Sequence, residues 1–138
     1  MIEFNNGRDT DMKKTLNLVV SIITAGLLIA LSSTAMADAA TGKAVYDGKG
    51  ACGACHGPAG KGDGPAAAAM NPKPRSFSEG IFNYDTDGDG ATGTDIDLFN
   101  IIKSGSAAYG GAPTMPGRAD IPETEIQALV AYIRTLKI

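Results

Sequence analysis

The stretch Cys52-Gly53-Ala54-Cys55-His56 is the part of this sequence from which its fold and chemistry can be inferred. It contains both cysteines and the only histidine of the 138 residues. A Cys-x-x-Cys pair can form a disulfide or act as a redox dithiol, and cysteine with histidine can ligate zinc. A structural zinc site takes four protein ligands, and the chain has no further Cys or His to complete one.

A histidine directly after Cys-x-x-Cys is typical of covalent haem attachment. Two residues between the cysteines place both thiols on one side of a single helical turn, where each can add to a haem vinyl group. The next residue is then carried beneath the ring. We therefore expect Cys52 and Cys55 to bind one haem c covalently and His56 to ligate its iron; residues 52–56 are called the attachment motif below.

Met115 is the residue that we expect on the other side of the iron. The chain has no second histidine, and methionine opposite histidine raises the reduction potential of a haem. Met70 follows the motif closely in an alanine-rich turn and is more simply explained as core filler. Met115 lies much further along, in a loop framed by Pro113 and Pro116, so the chain can pass round the ring before returning. A vacant or solvent-occupied sixth position is the remaining alternative.

The composition and periodicity favour an all-α fold in a single domain. The chain has 18 glycines and no tryptophan, which favours a loop-rich structure. The net charge of −3 makes nucleic acid an unfavourable partner. No stretch shows the alternation of a half-buried strand, whereas Thr94 and Asp97 form a variant of the capping box that begins a helix. The predicted helical segments are residues 38–49, 52–56, 66–70, 95–104 and 122–136.

The first 37 residues have the three-part pattern of a signal peptide. Lysines at positions 13–14 precede an apolar run over residues 16–31, and Ala35-Met36-Ala37 gives a small-x-small cleavage site. We therefore divide the chain into a signal region, residues 1–37, and a mature domain, residues 38–138.

This division predicts export to the periplasm. The alternative is an uncleaved membrane anchor, since the apolar run approaches the length that spans a bilayer. Residues 1–11 are polar and partly acidic, which is unusual ahead of a basic region, and a true start at Met12 would explain them. A membrane is therefore a partner only if the segment is not cleaved.

Residues 41–138 resemble a small class I cytochrome c of the bacterial periplasmic type. The resemblance rests on the attachment motif and on the Gly-Pro-Ala-Gly-Lys-Gly-Asp-Gly-Pro run over residues 57–65. It implies three to five short helices wrapped around one covalently bound haem, with the N-terminal and C-terminal helices crossed. In this family the crossing uses glycine and aromatic residues, and the corresponding positions here are Gly42 with Tyr46 and Leu129 with Tyr132.

The same resemblance implies a proline carbonyl that accepts a hydrogen bond from Nδ1 of the proximal histidine. Pro72 is the first candidate and Pro74 the second. Lys73, Arg75 or Tyr109 could meet the haem propionates, and a solvated surface role explains each of them equally well. The sequence departs from mitochondrial members in lacking tryptophan and a lysine-rich face, so an acidic docking partner is not assumed.

An acidic stretch resembles the first half of a calcium-binding loop. Asp85, Asp87 and Asp89 alternate with other residues, and Gly90 permits the sharp turn. Ile96 occupies the position of the bidentate glutamate, although acidic residues flank it on both sides. The more economical interpretation is a solvated loop of Asx turns that leads into the next helix, with calcium as the less favoured alternative.

These features together predict a one-electron carrier rather than an enzyme. Weak, transient docking to redox protein partners would suit such exchange. The alternatives are a haem c subunit of a larger oxidoreductase complex and, less favoured, a peroxidase-like or gas-binding protein with an open sixth site. The sequence carries no motif that identifies the electron donor or acceptor.

Overall fold

The computed structural model describes residues 38–138, and Ala37–Ile138 form one compact unit. In this part of the chain the secondary structure is helical, without a β-strand, so the all-α prediction is confirmed. No helix between residues 38 and 138 is both long and apolar enough to cross a membrane. The predicted signal region, residues 1–37, lies outside the described residues.

Four α-helices form the frame within the described residues. Helix α1 covers residues 38–47 and ends slightly before its predicted limit, in a turn over residues 48–50. Single 3-10 turns occur at Ala67–Ala69, as predicted, and at Ser106–Tyr109, which the sequence analysis did not foresee. The remaining helices are α2 at Gly53–His56, α3 at Asp95–Ser104 and α4 at Glu123–Thr135.

Helices α1 and α4 pack against each other through the residues that the resemblance singled out. A side chain at Gly42 would overlap the carbonyl of Ala128 and the Cβ of Tyr132, so only glycine permits this approach. Tyr46 and Tyr132 meet edge to face, with ring centroids 5.3 Å apart and planes at 67°. Tyr46 is fully buried, and its hydroxyl donates to the carbonyl of Gly57 at 2.7 Å. The contact therefore ties both terminal helices to the end of the attachment motif.

The capping box predicted for α3 is present. The hydroxyl of Thr94 accepts from the backbone N–H of Asp97 at 3.2 Å, and the Asp97 carboxylate accepts from the backbone N–H of Thr94 at 2.8 Å. Two N–H groups that would otherwise lack partners at the helix start are thereby satisfied. Gly105, with φ of +83°, ends the helix as expected. Helix α3 is thus fixed at both ends and packs against α4.

The core lies between α3 and α4 and extends to α1. Ile126, Leu129 and Ile133 of α4 are buried, as the periodicity of that helix predicts. Leu98 and Ile102 of α3 belong to the same cluster. The apolar sides of α3 and α4 also form one wall of a cavity, and the functional residues lie around it.

Candidate functional site

A cavity of about 620 Å³ brings together the chemically distinctive residues of the chain. Cys52, Cys55, His56 and Met115 all line it. Its volume is within the usual range for cofactor and ligand sites. Two thiols, an imidazole and a thioether therefore line one cavity, although Met115 lies far from the other three in sequence.

The wall of this cavity is largely apolar. Leu98 and Ile102 line it from α3, Leu129 and Ile133 from α4, and Phe82 from the preceding loop. Apolar walls of this kind exclude water and suit the faces of a large hydrophobic cofactor. A large, mostly apolar cofactor is the type of molecule that suits this lining.

The local fold presents both cysteines from one helical turn. The carbonyl of Cys52 accepts from the backbone N–H groups of Cys55 and His56, at 3.2 and 2.9 Å. Both thiols are free and half-buried. Burial raises the pKa of the Cys52 thiol, which the nearby positive charge of Arg118 opposes. The predicted helical turn over the motif is confirmed, with Cys52 at its cap.

His56 is buried and is held through one of its ring nitrogens. Its Nδ1 lies 2.9 Å from the carbonyl oxygen of Arg75, and since a carbonyl only accepts, Nδ1 carries the proton. Nε2 is then the nitrogen left to bind a metal. Burial lowers the pKa of His56, and the Arg75 contact partly opposes this. The neutral imidazole that metal ligation requires is thereby favoured.

The identity of the accepting carbonyl corrects the sequence-based expectation. Pro72 was expected to supply it, with Pro74 second, but the structure gives this contact to Arg75. The carbonyl of Pro74 lies instead against Gly62, where a side chain would overlap it. This packing aligns residues 74–76 beside the attachment motif and turns the next carbonyl toward His56. Pro72 remains a residue of the cavity wall.

Phe77 is a neighbour of His56 that sequence reasoning missed. The two rings are stacked, with centroids 4.4 Å apart and an angle of 20° between their planes. Phe77 is buried, and its backbone N–H donates to the carbonyl of Gly60 at 2.6 Å. The available signal was that Phe77 is the one aromatic residue between His56 and Phe82. Such an isolated aromatic in a glycine- and proline-rich stretch has few other places to be buried.

Met115 approaches the cavity from a loop that is held by the segment after α3. Its side chain is partly buried against the hydrophobic core. Its carbonyl accepts from the backbone N–H of Ser106 at 3.2 Å, and the hydroxyl of Ser106 donates to the carbonyl of Ala112 at 2.5 Å. Met70 also lines the cavity. Position within the wall therefore does not by itself choose between Met115 and Met70.

The residues considered for haem propionates divide into two groups. In the described part of the chain, the cavity wall includes Lys73 and Arg75 but not Tyr109. Both lining side chains belong to exposed residues at the edge of the cavity. Their contact with a propionate stays a prediction.

The acidic loop forms Asx turns of the kind favoured by the sequence analysis. Asp85 accepts from the backbone N–H groups of Gly88 and Gly90 at 2.7 and 3.0 Å, and Asp89 accepts from that of Ala91 at 2.7 Å. The carboxylates of Asp85, Asp87 and Asp89 lie within 4.8 Å of one another and are exposed.

The acidic residues after this loop do not join the cluster. Asp95 pairs with Arg134, and Asp97 bonds Thr86 and Thr94. The second half of a calcium site is therefore not assembled by these two carboxylates.

Asp97 is a buried carboxylate at the edge of the cavity, with 1% of its surface exposed. It accepts from the backbone N–H and the hydroxyl of Thr86, at 2.5 and 2.8 Å, in addition to its bonds with Thr94. Burial alone would raise its pKa, but these hydrogen bonds outweigh that effect and lower the pKa to about 2. The sequence predicted the cap but not the link to Thr86, since that link spans an irregular loop.

Comparisons with known proteins agree with the kind of site that the geometry indicates. A family model for cytochrome c matches residues 39–137. A search of curated protein sequences finds no significant match. A chain of the reducing HAO-like protein complex from Kuenenia stuttgartiensis is structurally similar, with a TM-score of 0.59 and 27% sequence identity. The similarity covers 73% of this chain and 44% of that chain, so this protein spans less than half of the neighbour's length.

Proposed function

This chain belongs to the cytochrome c family, and we propose that it carries one haem c, covalently bound through Cys52 and Cys55 and ligated by His56 and Met115. Family membership implies the covalent haem and a role in electron transfer. The observation that supports the cofactor assignment is one largely apolar cavity lined by both free thiols, the buried histidine, Met70 and Met115; the choice of Met115 rests on its place in the sequence. The residues that line the cavity therefore fit a covalently bound haem.

Each part of the site has a distinct task in this proposal. Bound haem iron supplies the chemistry, the reversible uptake of one electron. Cys52 and Cys55 prevent loss of the cofactor, because thioether bonds do not dissociate. His56 acts as a ligand whose orientation and basicity are set by the hydrogen bond to Arg75. The apolar wall would exclude water, which would otherwise compete with His56 and Met115 for the metal.

We further propose a class I monohaem cytochrome c of the bacterial periplasmic type that acts as a one-electron carrier rather than as an enzyme. If His56 and Met115 held the metal in both oxidation states, reorganisation on electron transfer would be small. Partners would be redox proteins that dock weakly at the haem edge near the two cysteines. An open-site peroxidase-like or gas-binding protein would instead need an exchangeable sixth position.

Absorption spectra of the purified ferric and ferrous protein test this assignment. We expect low-spin spectra in both states and a far-red methionine–iron charge-transfer band in the ferric state. High-spin ferric iron that binds cyanide readily, and ferrous iron that binds carbon monoxide readily, at neutral pH would contradict the carrier and support the open site. A protein purified without covalent haem from a host competent for attachment would contradict the whole assignment.

The identity of the methionine is tested by a matched pair of variants. Met115→Leu and Met70→Leu remove a thioether from the same cavity while keeping an apolar side chain of similar size. We expect the charge-transfer band to disappear in Met115→Leu and to persist in Met70→Leu. The reverse result would transfer the ligand role to Met70.

A second candidate function is that of a haem c subunit within a larger oxidoreductase assembly. It is favoured by the similarity to one part of a longer chain that belongs to a protein complex. Size-exclusion chromatography of native extracts, followed by haem staining, separates the two candidates. A free carrier elutes near the size of a single chain, whereas a subunit elutes with a large partner.

Export to the periplasm is the third part of the proposal. It is supported by the tripartite pattern of residues 1–37, with cleavage before Asp38. N-terminal sequencing of the protein from its host is expected to begin at that residue. Full-length protein retained in the membrane fraction would favour the uncleaved anchor instead.

A further inference from the structure

The loop that carries Met115 is fixed to the end of α3 by backbone hydrogen bonds. The N–H of Ser106 donates to the carbonyl of Met115 at 3.2 Å, and the N–H of Arg118 donates to the carbonyl of Ile102 at 2.8 Å. These bonds set the path of the loop along α3. They involve no residue of the attachment motif, so they do not set the distance between the loop and His56.

The side chain of Arg118 connects this loop to the segment just before the attachment motif. Its Nη1 donates to the carbonyl of Gly50 at 2.6 Å and its Nη2 donates to the carbonyl of Lys49 at 2.7 Å. Both acceptors lie in the turn directly before the attachment motif. Nε and Nη2 also donate to the two carboxylate oxygens of Asp120, at 2.9 and 2.8 Å, which holds the guanidinium in one orientation.

The turn that receives Arg118 is itself firmly attached to α1. The backbone N–H of Gly50 donates to the carbonyl of Val45 at 2.8 Å, and that of Cys52 donates to the carbonyl of Tyr46 at 3.0 Å. Val45 and Tyr46 are buried in the core. Arg118 therefore bonds to a rigid base rather than to a mobile loop.

Arginine is well suited to this connection. Its planar guanidinium offers several donors in a fixed arrangement, and hydrogen bonds from a charged donor are stronger than neutral ones. The side chain is 27% exposed, so its bonds are only partly screened by water. Lysine carries the same charge but cannot place donors on two neighbouring carbonyls and a carboxylate in one plane.

We propose that Arg118 is a positioning residue that clamps the Met115 loop to the turn before the attachment motif and so keeps the thioether on the iron. This inference rests on the proposed ligation by His56 and Met115. Without the clamp the loop remains bonded to α3 but is free to move away from the attachment motif. Met115 then leaves the iron more often, although the fold is retained.

Cyanide binding to the ferric protein measures this movement, because cyanide must take the position that Met115 leaves. We expect Arg118→Ala to bind cyanide about tenfold faster than the wild type at equal pH and cyanide concentration, the effect of losing charged hydrogen bonds worth one power of ten. The charge-transfer band is expected to disappear at a lower guanidinium concentration than the helical circular dichroism. An unchanged cyanide rate in a protein that shows the band would overturn the clamp.

Arg134 offers a matched control. It also bonds a carboxylate and a backbone carbonyl, with Nε 2.8 Å from Asp95 and Nη2 2.6 Å from the carbonyl of Gly93. These partners lie at the start of α3, not at the end that holds the Met115 loop. Arg134→Ala is expected to lose stability without faster cyanide binding. Equal acceleration in both variants would show a general loosening and would overturn the specific role of Arg118.

Arg118→Lys keeps the positive charge but removes the guanidinium that forms the clamp. It also replaces Arg118→Ala in the test if the alanine variant does not fold. We expect cyanide binding several-fold faster than in the wild type, because one ammonium cannot replace the fork of donors. A wild-type rate in Arg118→Lys would assign the effect to charge alone and would overturn the clamp. A wild-type protein without the charge-transfer band would instead contradict ligation by Met115, so failure of the proposed function is recognised separately.

Discussion

The two segments that supply the proposed iron ligands are held in place by different parts of the polypeptide. The attachment segment, residues 52–62, is held by backbone groups: the N–H of Gly62 donates to the carbonyl of His56 at 2.8 Å, and His56 bonds the carbonyl of Arg75. The methionine loop, residues 110–118, is held to α3 by backbone bonds and also by side chains, since the hydroxyl of Ser106 donates to the carbonyl of Ala112 and Arg118 donates to that of Gly50.

This difference determines which ligand can be adjusted by substitution. A backbone carbonyl is present whatever the side chain, so the position of His56 is insensitive to most single replacements. The methionine loop loses a connection when one side chain is shortened. Under the proposed ligation, His56 is therefore the fixed ligand and Met115 the adjustable one, and exchange at the position of Met115 can change without disturbing cofactor attachment.

The largest effect is expected where the backbone of the attachment segment is itself disturbed. Gly62 has φ of +74°, and a Cβ there would overlap the carbonyl of Pro74. Gly62→Ala should therefore cost about 3 kcal/mol of stability, from the left-handed conformation and the steric overlap together. Guanidinium unfolding followed by circular dichroism measures it.

Gly90→Ala is the control for this substitution. Gly90 also has a positive φ, of +88°, but open space surrounds its Cβ position. The conformational cost alone remains, about 1 kcal/mol. Equal losses in the two variants would show that the contact with Pro74 does not constrain the attachment segment.

The next largest effect is expected at Asp97, which fixes the start of the helix from which the methionine loop extends. Asp97→Asn should cost about 2 kcal/mol at neutral pH, because hydrogen bonds to a charged acceptor are replaced by weaker ones. The pKa of Asp97 is lowered from 3.8 to about 2. The contribution of the Asp97 carboxylate to stability is therefore complete at pH values above the ordinary pKa of 3.8. It is lost as the pH falls toward 2.

Unfolding free energies of the wild type and Asp97→Asn, measured across this pH range, check the sign. The gap between the two proteins should narrow as the pH falls from 4 to 2. A gap that stays constant with pH would mean that packing, rather than charge, makes Asp97 stabilising.

A smaller effect is expected at Phe77, the side chain that stacks on His56. Phe77→Leu keeps an apolar side chain but loses the flat face, at a cost of about 1 kcal/mol. If backbone contacts position His56, the spectra of both oxidation states should remain low-spin. Conversion to high-spin iron would place Phe77 among the groups that hold the ligand and would weaken the contrast between the two segments.

A loss of stability no larger than that at Phe77 is expected at Ser106. Ser106→Ala removes one hydrogen bond to the carbonyl of Ala112 and should cost about 1 kcal/mol. Because this bond joins the methionine loop to the turn before it, cyanide binding should still become faster. Ser104→Ala, at a neighbouring exposed position, is the control and should change neither quantity. Slower or unchanged cyanide binding in Ser106→Ala would show that the loop does not depend on this side chain.

The sequence predicted most reliably what is encoded over short distances. The turn of the attachment motif, the box formed by Thr94 and Asp97, and the buried face of α4 each depend on residues a few positions apart. The packing of Gly42 against α4 was also foreseen, although it came from family resemblance rather than from periodicity. These features fix the helices and one side of the cavity.

Contacts that use backbone groups as distant partners could not be foreseen. The carbonyl of Arg75 has no signature in the sequence, so the expectation favoured a nearby proline instead. The acceptors of Arg118 are likewise carbonyls of residues far away in the chain. The turn at Ser106–Tyr109 is too short for a periodic pattern. Such features depend on the complete tertiary arrangement, not on residue type.

The approach of Gly42 to Ala128 has a consequence for the strength of the proposed bond between iron and Met115. This contact closes a loop of chain that contains both the attachment segment and the methionine loop. The entropy of loop closure grows only slowly with length, so most of the cost of bringing the two segments together is met when α1 and α4 pack. Once the two helices have packed, the thioether of Met115 would behave as a tethered ligand with a high effective concentration near His56. On this proposal, two helices that meet away from the ligands help to set the affinity of a weak donor for the metal.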